Sequence, residues 1–176
     1  MRPNLLLTGP PGVGKTTLVM RALSNLPPGA ACGFVTCELR QGGRRVGFAA
    51  ETLAGESCVL AHVDVRSPYR VGRYRVDLIA FEALILPAID PTTQISAQMI
   101  VIDEIGKMEC FSARFRKLVV AAMESDRAVL ATIALRGDSY VESLKARSDV
   151  TLLHVTRQNQ DELVDQVMEW VHETSM

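Results

Sequence analysis

Short apolar runs alternate along the chain with stretches in which apolar residues recur at helical spacing. Residues 4–8 form an apolar run that leads into a glycine-rich turn, a pattern typical of a buried parallel strand. From Lys15 onward the apolar side chains take helical spacing, and the proline and glycine residues at 27–29 end that helix. This strand–turn–helix order is the first unit of a predicted α/β fold.

The segment that follows has the character of strands. Residues 33–38 and 46–52 are predicted strands, and the short turn between them contains two glycines. Glycines supply the backbone conformations of tight turns, so this pattern favours a β-hairpin. Residues 57–65 predict a third strand, and residues 77–86 predict a helix.

The second half of the chain returns to alternating strands and helices. Strands are predicted at 99–103, 128–133 and 151–155, and helices between them at 111–123 and 140–147. The last helix is predicted to begin at Asn159, a good N-cap residue, with Glu162 at the capping-box position. Strands that alternate with helices imply a mostly parallel central sheet with helices on both faces, and the hairpin is an insertion in it.

The length and composition fit a soluble globular protein. A chain of 176 residues predicts one domain, residues 1–176, with a full hydrophobic core. The longest apolar stretches are too short to span a bilayer, and the first residues leave no room for a signal peptide. We therefore expect a cytoplasmic protein with no membrane partner. The four cysteines form no C-x-x-C pair, which favours reduced structural thiols over a zinc site.

The charge of the chain is unevenly distributed. The net charge is −1, which argues against nucleic acid as a partner. Residues 40–75 nevertheless contain seven arginines against three acidic residues, a local charge of +4. A basic segment of this kind serves a polyphosphate ligand or forms a solvated surface, and the sequence leaves both interpretations open.

A complete phosphate-loop motif, G-x-x-x-x-G-K-[ST], lies between the first strand and the first helix. The glycines allow backbone N–H groups to curl around phosphates, and the helix N-terminus adds a favourable dipole. Lys15 is predicted to reach the β- and γ-phosphates, and the Thr16 hydroxyl to ligate Mg²⁺. The predicted phosphate-binding residues are Gly9, Pro10, Pro11, Gly12, Val13, Gly14, Lys15, Thr16 and, by its position next to the motif, Thr17.

Two adjacent carboxylates end the predicted strand at 99–103. In P-loop proteins the acid at the end of such a strand holds Mg²⁺, and Asp103 has this position. Glu104 follows it and is predicted to orient and deprotonate a water for attack on the γ-phosphate, although an ordinary exposed acid is the alternative. A general base poised for water would waste the substrate of a kinase. Glu104 therefore favours hydrolysis.

The chain resembles a known family, the small P-loop nucleoside-triphosphatases of the cancer-related and thermophile type. The similar blocks occur in the family's order at residues 7–17, 33–38, 40–48, 71–78 and 101–109. The resemblance implies a RecA-like fold and slow Mg²⁺-dependent hydrolysis of several nucleoside triphosphates with broad base specificity. It also implies that Asp103 is the magnesium-site acid and Glu104 the catalytic one.

One departure from the family's pattern concerns the base. The family often has an Asn-Arg pair after the last strand, where this chain has Asn159 and Gln160. The resemblance makes Asn159 a candidate nucleotide-binding residue. If the missing arginine stacks on the base in relatives, the nucleotide preference here differs unless Arg157 compensates.

Three arginines are candidates for contact with the transferred phosphate. An arginine finger only has to reach the γ-phosphoryl group, and the hairpin or a nearby loop places Arg44, Arg45 or Arg73 within range of such a role. For each arginine taken singly, a solvated surface charge is the alternative.

Three hypotheses about function follow. The first is a monomeric phosphohydrolase that acts on nucleoside triphosphates such as ATP and GTP with Mg²⁺ and no second substrate. The second is a nucleotide or small-molecule kinase, which needs an acceptor pocket. The third is a nucleotide-dependent switch that a protein or RNA partner activates. Phosphate release by the chain alone separates the first from the other two.

Overall fold

A single sheet of nine strands organises residues 4–174, the part of the chain that the computed structural model describes. The strands are β1 (Asn4–Gly9), β2 (Ala31–Gln41), β3 (Arg44–Thr52), β4 (Ser57–His62), β5 (Arg70–Val71), β6 (Tyr74–Val76), β7 (Met99–Ile105), β8 (Ala128–Ala134) and β9 (Val150–His154). The helices are α1 (Lys15–Leu23), α2 (Leu78–Ile89), α3 (Ala113–Glu124), α4 (Ser139–Lys145) and α5 (Gln160–Thr174). A short 3₁₀ helix, Glu109–Phe111, follows β7.

The sheet has a parallel half and an antiparallel half. Its strand order is β5-β6-β4-β3-β2-β7-β8-β1-β9. In this spatial order, neighbouring strands from β5 to β2 pair antiparallel, and neighbouring strands from β2 to β9 pair in parallel. The predicted α/β class with a central parallel sheet is confirmed. The predicted hairpin is the first part of a larger antiparallel extension.

The β2–β3 turn has the geometry that its sequence requires. Gly42 and Gly43 have φ values of 55° and 75°, so both turn residues occupy the left-handed region. Residues with a Cβ rarely adopt this conformation, and a two-residue hairpin turn with two positive φ values matches the twist of the sheet. The turn therefore fixes the register of β2 on β3, in which Gln41 pairs with Arg44.

Helices cover both faces of the sheet, as predicted. The face with α2 and α3 has an aromatic cluster in which Phe34, Phe81 and Phe115 meet edge to face, with ring centroids 5.5–6.2 Å apart. On the opposite face α1 packs against α5 and against apolar side chains of the parallel strands. These two apolar layers hold the C-terminal ends of the parallel strands in place.

Several boundaries differ from the sequence expectation. The predicted helix over 77–86 continues to Ile89 and includes Pro87, which cannot donate the i→i−4 hydrogen bond at its position. The predicted helix over 111–123 begins at Ala113, because the Ser112 side chain accepts from the amide of Phe115 at 3.0 Å and caps it there. In the described part of the chain no helix combines the length and apolarity needed to cross a membrane.

The start of α5 is as predicted, but the bonding of its first residues is not. The helix begins at Gln160, so Asn159 occupies the N-cap position. Its side chain, however, accepts from the amide of Thr156 and donates to the carbonyl of His154, each at 2.8 Å. Asn159 thus folds the loop after β9 back on itself, because a loop amide competes with the helix amides for the same side-chain oxygen.

Candidate active site

The candidate site lies where the C-terminal ends of several parallel strands meet. Strand β1 runs into the phosphate loop, and α1 begins at Lys15 directly after it. Gly12 and Gly14 have φ values of 72° and 98°, which only glycine adopts without strain. At Gly9 a Cβ would stand 2.5 Å from the carbonyl oxygen of Val155, so glycine is required there by a close backbone approach. The loop backbone is therefore open for a ligand.

Lys15 lies inside the loop. Its side chain is buried, and its ammonium donates to the carbonyls of Gly9 at 3.0 Å and Pro10 at 3.2 Å. The same ammonium is 3.9 Å from Oε2 of Glu104. This arrangement places a buried positive charge between the loop and the carboxylates at the end of β7.

Asp103 connects three strands of the sheet with helix α1. Its side chain is 1% exposed. Oδ2 accepts from the hydroxyl of Thr16 at 2.8 Å and from the amide and hydroxyl of Thr36 at 3.2 and 3.4 Å. Oδ1 accepts from the hydroxyl of Thr132, in β8. These bonds fix the carboxylate beside the first turn of α1.

Thr36 as a partner of Asp103 was not foreseen from the sequence. The contact arises because β2 pairs in parallel with β7, in a register that places Phe34 beside Ile102. Two residues further along β2 and one residue further along β7, Thr36 and Asp103 come together. Local patterns in a sequence do not show which parallel strands are neighbours. Thr36 lies in one of the blocks that carry the family resemblance, which was the available signal.

Two further carboxyl groups lie on either side of Gly106. A Cβ at Gly106 would stand 2.6 Å from Oε1 of Glu104 and 3.0 Å from Oε2 of Glu109. Burial raises the pKa of Glu104, the Asp103 charge adds to the rise, and the Lys15 ammonium opposes it. Burial and then the charge on Glu104 raise the pKa of Glu109 to about 8. Glycine at 106 leaves the room in which both carboxyl groups fit.

A cavity of about 550 Å³ opens above these groups. Its walls come from the phosphate loop, from β2 and β3, and from the turn after β7. Lys15, Thr16, Glu104 and Arg45 line it, together with the ring of Phe48. Pockets for small molecules commonly have volumes of 300–1,000 Å³, so this one has the size of a ligand site.

The structure separates the three candidate arginines. Arg45 lines the cavity, where it donates to Glu38 at 2.8 Å and to the hydroxyl of Tyr74 at 3.1 Å. Arg73 donates to the carbonyl of Arg45 and lies over the Tyr74 ring, outside the cavity wall. Arg44 is exposed at the hairpin turn and has no side-chain partner among residues 4–174. Only Arg45 is next to the other candidate residues.

Asn159 lies apart from this cavity and beside a smaller one. A cavity of about 260 Å³ is formed by the outer side of the phosphate loop and by residues 156–158. Asn159 holds the backbone of that segment, as described above. Gln160 donates to the carbonyl of Val13, which ties the start of α5 to the phosphate loop.

The donor atoms at Thr16 and Asp103 suit a hard divalent cation. A hydroxyl oxygen and a carboxylate oxygen lie 2.8 Å apart, at the mouth of the phosphate loop. Mg²⁺ prefers oxygen ligands and is often held by one or two protein groups, phosphate oxygens and water. In the described residues no cluster of three His, Cys, Asp or Glu side chains forms a dedicated metal site.

A strand, phosphate loop and helix, with a buried aspartate bonded to the loop threonine, define the class of P-loop nucleoside-triphosphatases. Residues 4–168 match the family model described as NTPase. The chain belongs to this family, and the resemblance seen in the sequence is confirmed.

Named relatives and solved structures agree with this assignment. The nucleoside-triphosphatase THEP1 of Thermotoga maritima is 42% identical over 164 residues, which cover 93% of this chain and 92% of the relative. The human cancer-related nucleoside-triphosphatase is 40% identical over 182 residues, which cover 96% of each. The predicted enzyme class, a hydrolase, is confirmed for the family.

The fold is also that of solved relatives. The crystal structure of THEP1 from Aquifex aeolicus superposes with a TM-score of 0.86 at 33% identity, over 96% of this chain and 98% of that one. The solution structure of a human cancer-related nucleoside triphosphatase gives a TM-score of 0.81 at 39% identity, over 98% of both chains. The predicted fold class is confirmed by both.

Proposed function

We propose that this protein hydrolyses the terminal phosphate of nucleoside triphosphates, with Mg²⁺, to the diphosphate and inorganic phosphate. One observation carries the proposal. The carboxylate of Glu104 lies 3.9 Å from the ammonium of Lys15, next to Asp103 and facing the phosphate cavity. A carboxylate in that position stands where the terminal phosphate of a loop-bound nucleotide and an attacking water would meet.

The phosphate loop supplies binding and charge neutralisation. Backbone N–H groups of residues 12–16 and the N-terminus of α1 attract phosphate oxygens. Lys15 at present donates to two loop carbonyls. We propose that its ammonium turns to the β- and γ-phosphates of the substrate and stabilises the charge that develops there.

Thr16 and Asp103 would hold the metal ion. Mg²⁺ supplies charge neutralisation of the phosphate oxygens when it is bound. The network of Thr36 and Thr132 around Asp103 keeps this carboxylate aimed at the loop. The role of these two threonines is therefore to position Asp103.

Glu104 would act as the general base. It accepts a proton from water, the water oxygen forms a bond to the γ-phosphorus, and the bond to the β,γ-bridging oxygen breaks, with the diphosphate as leaving group. The raised pKa of Glu104 makes its carboxylate a stronger base than an exposed glutamate.

Among the remaining predicted residues, support for a role at the nucleotide differs. Arg45 reaches the cavity and is proposed to contact the terminal phosphate. Arg44 and Arg73 stay predictions, as does nucleotide contact by Asn159. We propose that the base lies against the loop at 156–158, where Arg157 offers its guanidinium and few polar groups select one base. The single domain, the cytoplasmic location, the monomeric state and the absence of a nucleic-acid partner also stay predictions.

The test is phosphate release from ATP, GTP, CTP and UTP by the purified chain with Mg²⁺ and no added acceptor. We expect release by the wild type and at least about a hundredfold slower turnover in Glu104→Gln, the usual scale for loss of a general base. Nucleotide affinity, measured by calorimetry, should be retained in that variant. Glu51→Gln, the same change at an exposed position of β3, is the matched control.

Two outcomes would contradict the proposal. Retained turnover in Glu104→Gln would remove Glu104 from the reaction. Nucleotide binding without phosphate release by the wild type would favour a kinase or a partner-activated switch in place of a hydrolase.

A further inference from the structure

A second cavity lies on the far side of the turn that follows β7. Its volume is about 530 Å³, close to that of the phosphate cavity. Its walls come from this turn, from the 3₁₀ helix, from α3 and α4, and from the end of β8. Lys107 lines both cavities. None of the predicted site residues lies in this second cavity.

The cationic groups in this wall exceed the acidic ones. Lys107 and Arg136 are exposed, and within residues 4–174 neither has a hydrogen bond or ion pair. Arg116 is held in place by the carbonyl of Cys110 at 2.7 Å, by Asp138 at 2.7 Å and by the face of Tyr140 at 4.8 Å. Its charge is offset by Asp138, so the two unpaired cations leave the wall with an excess positive charge.

The rest of the wall is apolar or neutral. Phe111 and Val141 contribute side chains, and Ala134 ends β8 there. Burial raises the pKa of the Cys110 thiol to about 12, so this group is uncharged at neutral pH. A ligand that satisfies this surface combines a compact anion with a flat or branched apolar body.

We propose that this cavity binds a small phosphate monoester, whose phosphate lies between Lys107 and Arg136 and whose apolar part lies against Phe111 and Val141. A dianion suits two unpaired cations, and phosphate is the common dianion that accepts from lysine and arginine together. A volume of about 530 Å³ holds more than one phosphate group, which favours an ester over the free ion.

The bound ester would lie next to the hydrolytic residues. Gly106 precedes Lys107 and is the residue whose Cβ position stands 2.6 Å from Glu104. A phosphate held by Lys107 therefore fixes the turn that positions Glu104. We expect bound ester to change the turnover of the neighbouring site, although binding itself does not depend on hydrolysis.

Calorimetric titration with two probes tests the proposal. Phenyl phosphate and inorganic phosphate are each titrated into the nucleotide-free Lys15→Ala chain, in which the phosphate loop is weakened. We expect one phenyl phosphate per chain and weaker binding of inorganic phosphate. Arg136→Ala in this background should weaken phenyl phosphate binding at least tenfold. The control is Arg114, an exposed arginine of α3 that pairs with Glu82. Arg114→Ala should leave phenyl phosphate binding unchanged.

The wild-type chain and the single variant Arg136→Ala, both with Lys15 intact, are titrated in parallel, so that the test stands if Lys15→Ala is unstable. A loss of phenyl phosphate binding specific to Arg136→Ala supports the site. Equal affinity for both probes would overturn the assignment to an ester and indicate a site for product phosphate. Binding that is absent, or indifferent to Arg136, would overturn the site itself. None of these outcomes depends on whether the chain hydrolyses nucleotides.

Discussion

At the residue scale, the end of β7 and the 3₁₀ helix that follows it carry an unusual concentration of carboxyl groups. Asp103, Glu104 and Glu109 lie within seven positions, and Asp103 and Glu109 are buried. The three groups differ in their surroundings. Asp103 accepts several hydrogen bonds, Glu104 faces Lys15, and Glu109 lies beneath Gly106 in an apolar environment that favours its neutral form.

Glu109 predicts a pH dependence of stability. Its pKa is raised on folding from 4.5 to about 8, so its contribution to folding is complete below pH 4.5 and is lost as the pH rises through about 8. Glu109→Gln removes this loss. Each pKa unit corresponds to about 1.4 kcal/mol, so the variant should gain stability relative to wild type by a few kcal/mol between pH 5 and pH 9.

Urea unfolding of wild type and Glu109→Gln at pH 5, 7 and 9 measures this difference. Glu124→Gln, at an exposed position on α3, is the control for the substitution itself. A difference between Glu109→Gln and wild type that stays constant over this range would show that Glu109 is ionised in the folded protein.

Arg45 predicts a specific effect on turnover. Its guanidinium lies 5.0 Å from the Phe48 ring centroid and is paired with Glu38 and Tyr74 in the cavity wall. Arg45→Ala should lower kcat/KM for ATP at least tenfold, because a cation near the terminal phosphate is lost. Steady-state kinetics of Arg66→Ala, an exposed arginine of the same basic segment, supply the comparison. Equal kinetics in both variants would make Arg45 a surface charge.

The site residues that the sequence could identify are those that lie next to one another along the chain. The phosphate loop and the Asp103–Glu104 pair are contiguous, so their spacing alone predicts them. Thr36 and the setting of Glu109 depend on which strands pair and on how a turn folds. Neither is visible in a short window of sequence.

At the scale of elements, the start of helix α2 is capped by a single side chain. Asp77 accepts from the amide of Ala80 at 3.0 Å and caps the first turn, which no neighbouring acid reinforces. Helix α2 packs against β2 and β4 and brings Phe81 into the aromatic cluster. The cap therefore supports the face of the sheet opposite α1.

Asp77→Ala should destabilise the protein by about 1 kcal/mol, the usual cost of losing an N-cap. Asp77→Ser keeps an oxygen in capping position and should restore most of this loss. Urea unfolding gives both values, and phosphate release should remain within twofold of wild type. Identical losses in the alanine and serine variants would show that another property of Asp77 is responsible.

Elements with strong periodicity were predictable, and very short ones were not. Strands β5 and β6 contain two and three residues, too few for an alternating pattern to register. They form because Gly72, with φ 58°, turns the chain back on itself and because β6 pairs with the edge of β4. The bonding of Asn159 was missed because a cap and a loop amide compete for one oxygen.

At the scale of the whole molecule, the candidate site joins parts of the sheet that are distant in sequence. Asp103 in β7 bonds to α1 through Thr16, to β2 through Thr36 and to β8 through Thr132. A ligand that binds Thr16 and Asp103 together should therefore stabilise the molecule as a unit. A binder of the folded state adds about 2.7 kcal/mol at a hundred times its Kd.

Thermal unfolding of Glu104→Gln, in which nucleotide is not consumed, tests this coupling. ATP with Mg²⁺ at a hundred times its Kd should raise Tm by roughly 5–10 °C for a chain of this size. Removal of Mg²⁺ with EDTA at the same ATP concentration should reduce the shift by half or more. An equal shift with and without Mg²⁺ would contradict a metal held by Thr16 and Asp103.

The position of β1 in the sheet determines when, during synthesis of the chain, the fold around the phosphate loop can form. Asn4 pairs with Val129 on one side and with Val150 on the other, so the earliest of the nine strands is completed by the last two of the nine, β8 and β9. Until β8 has emerged, the three consecutive leucines that lead into the phosphate loop have no strand to pair with in this fold, and until β9 has emerged they are paired on one side only. A nascent chain should acquire its nucleotide only after β8 and β9 have been made. Messages truncated before β8 should yield products that chaperones or proteases recognise.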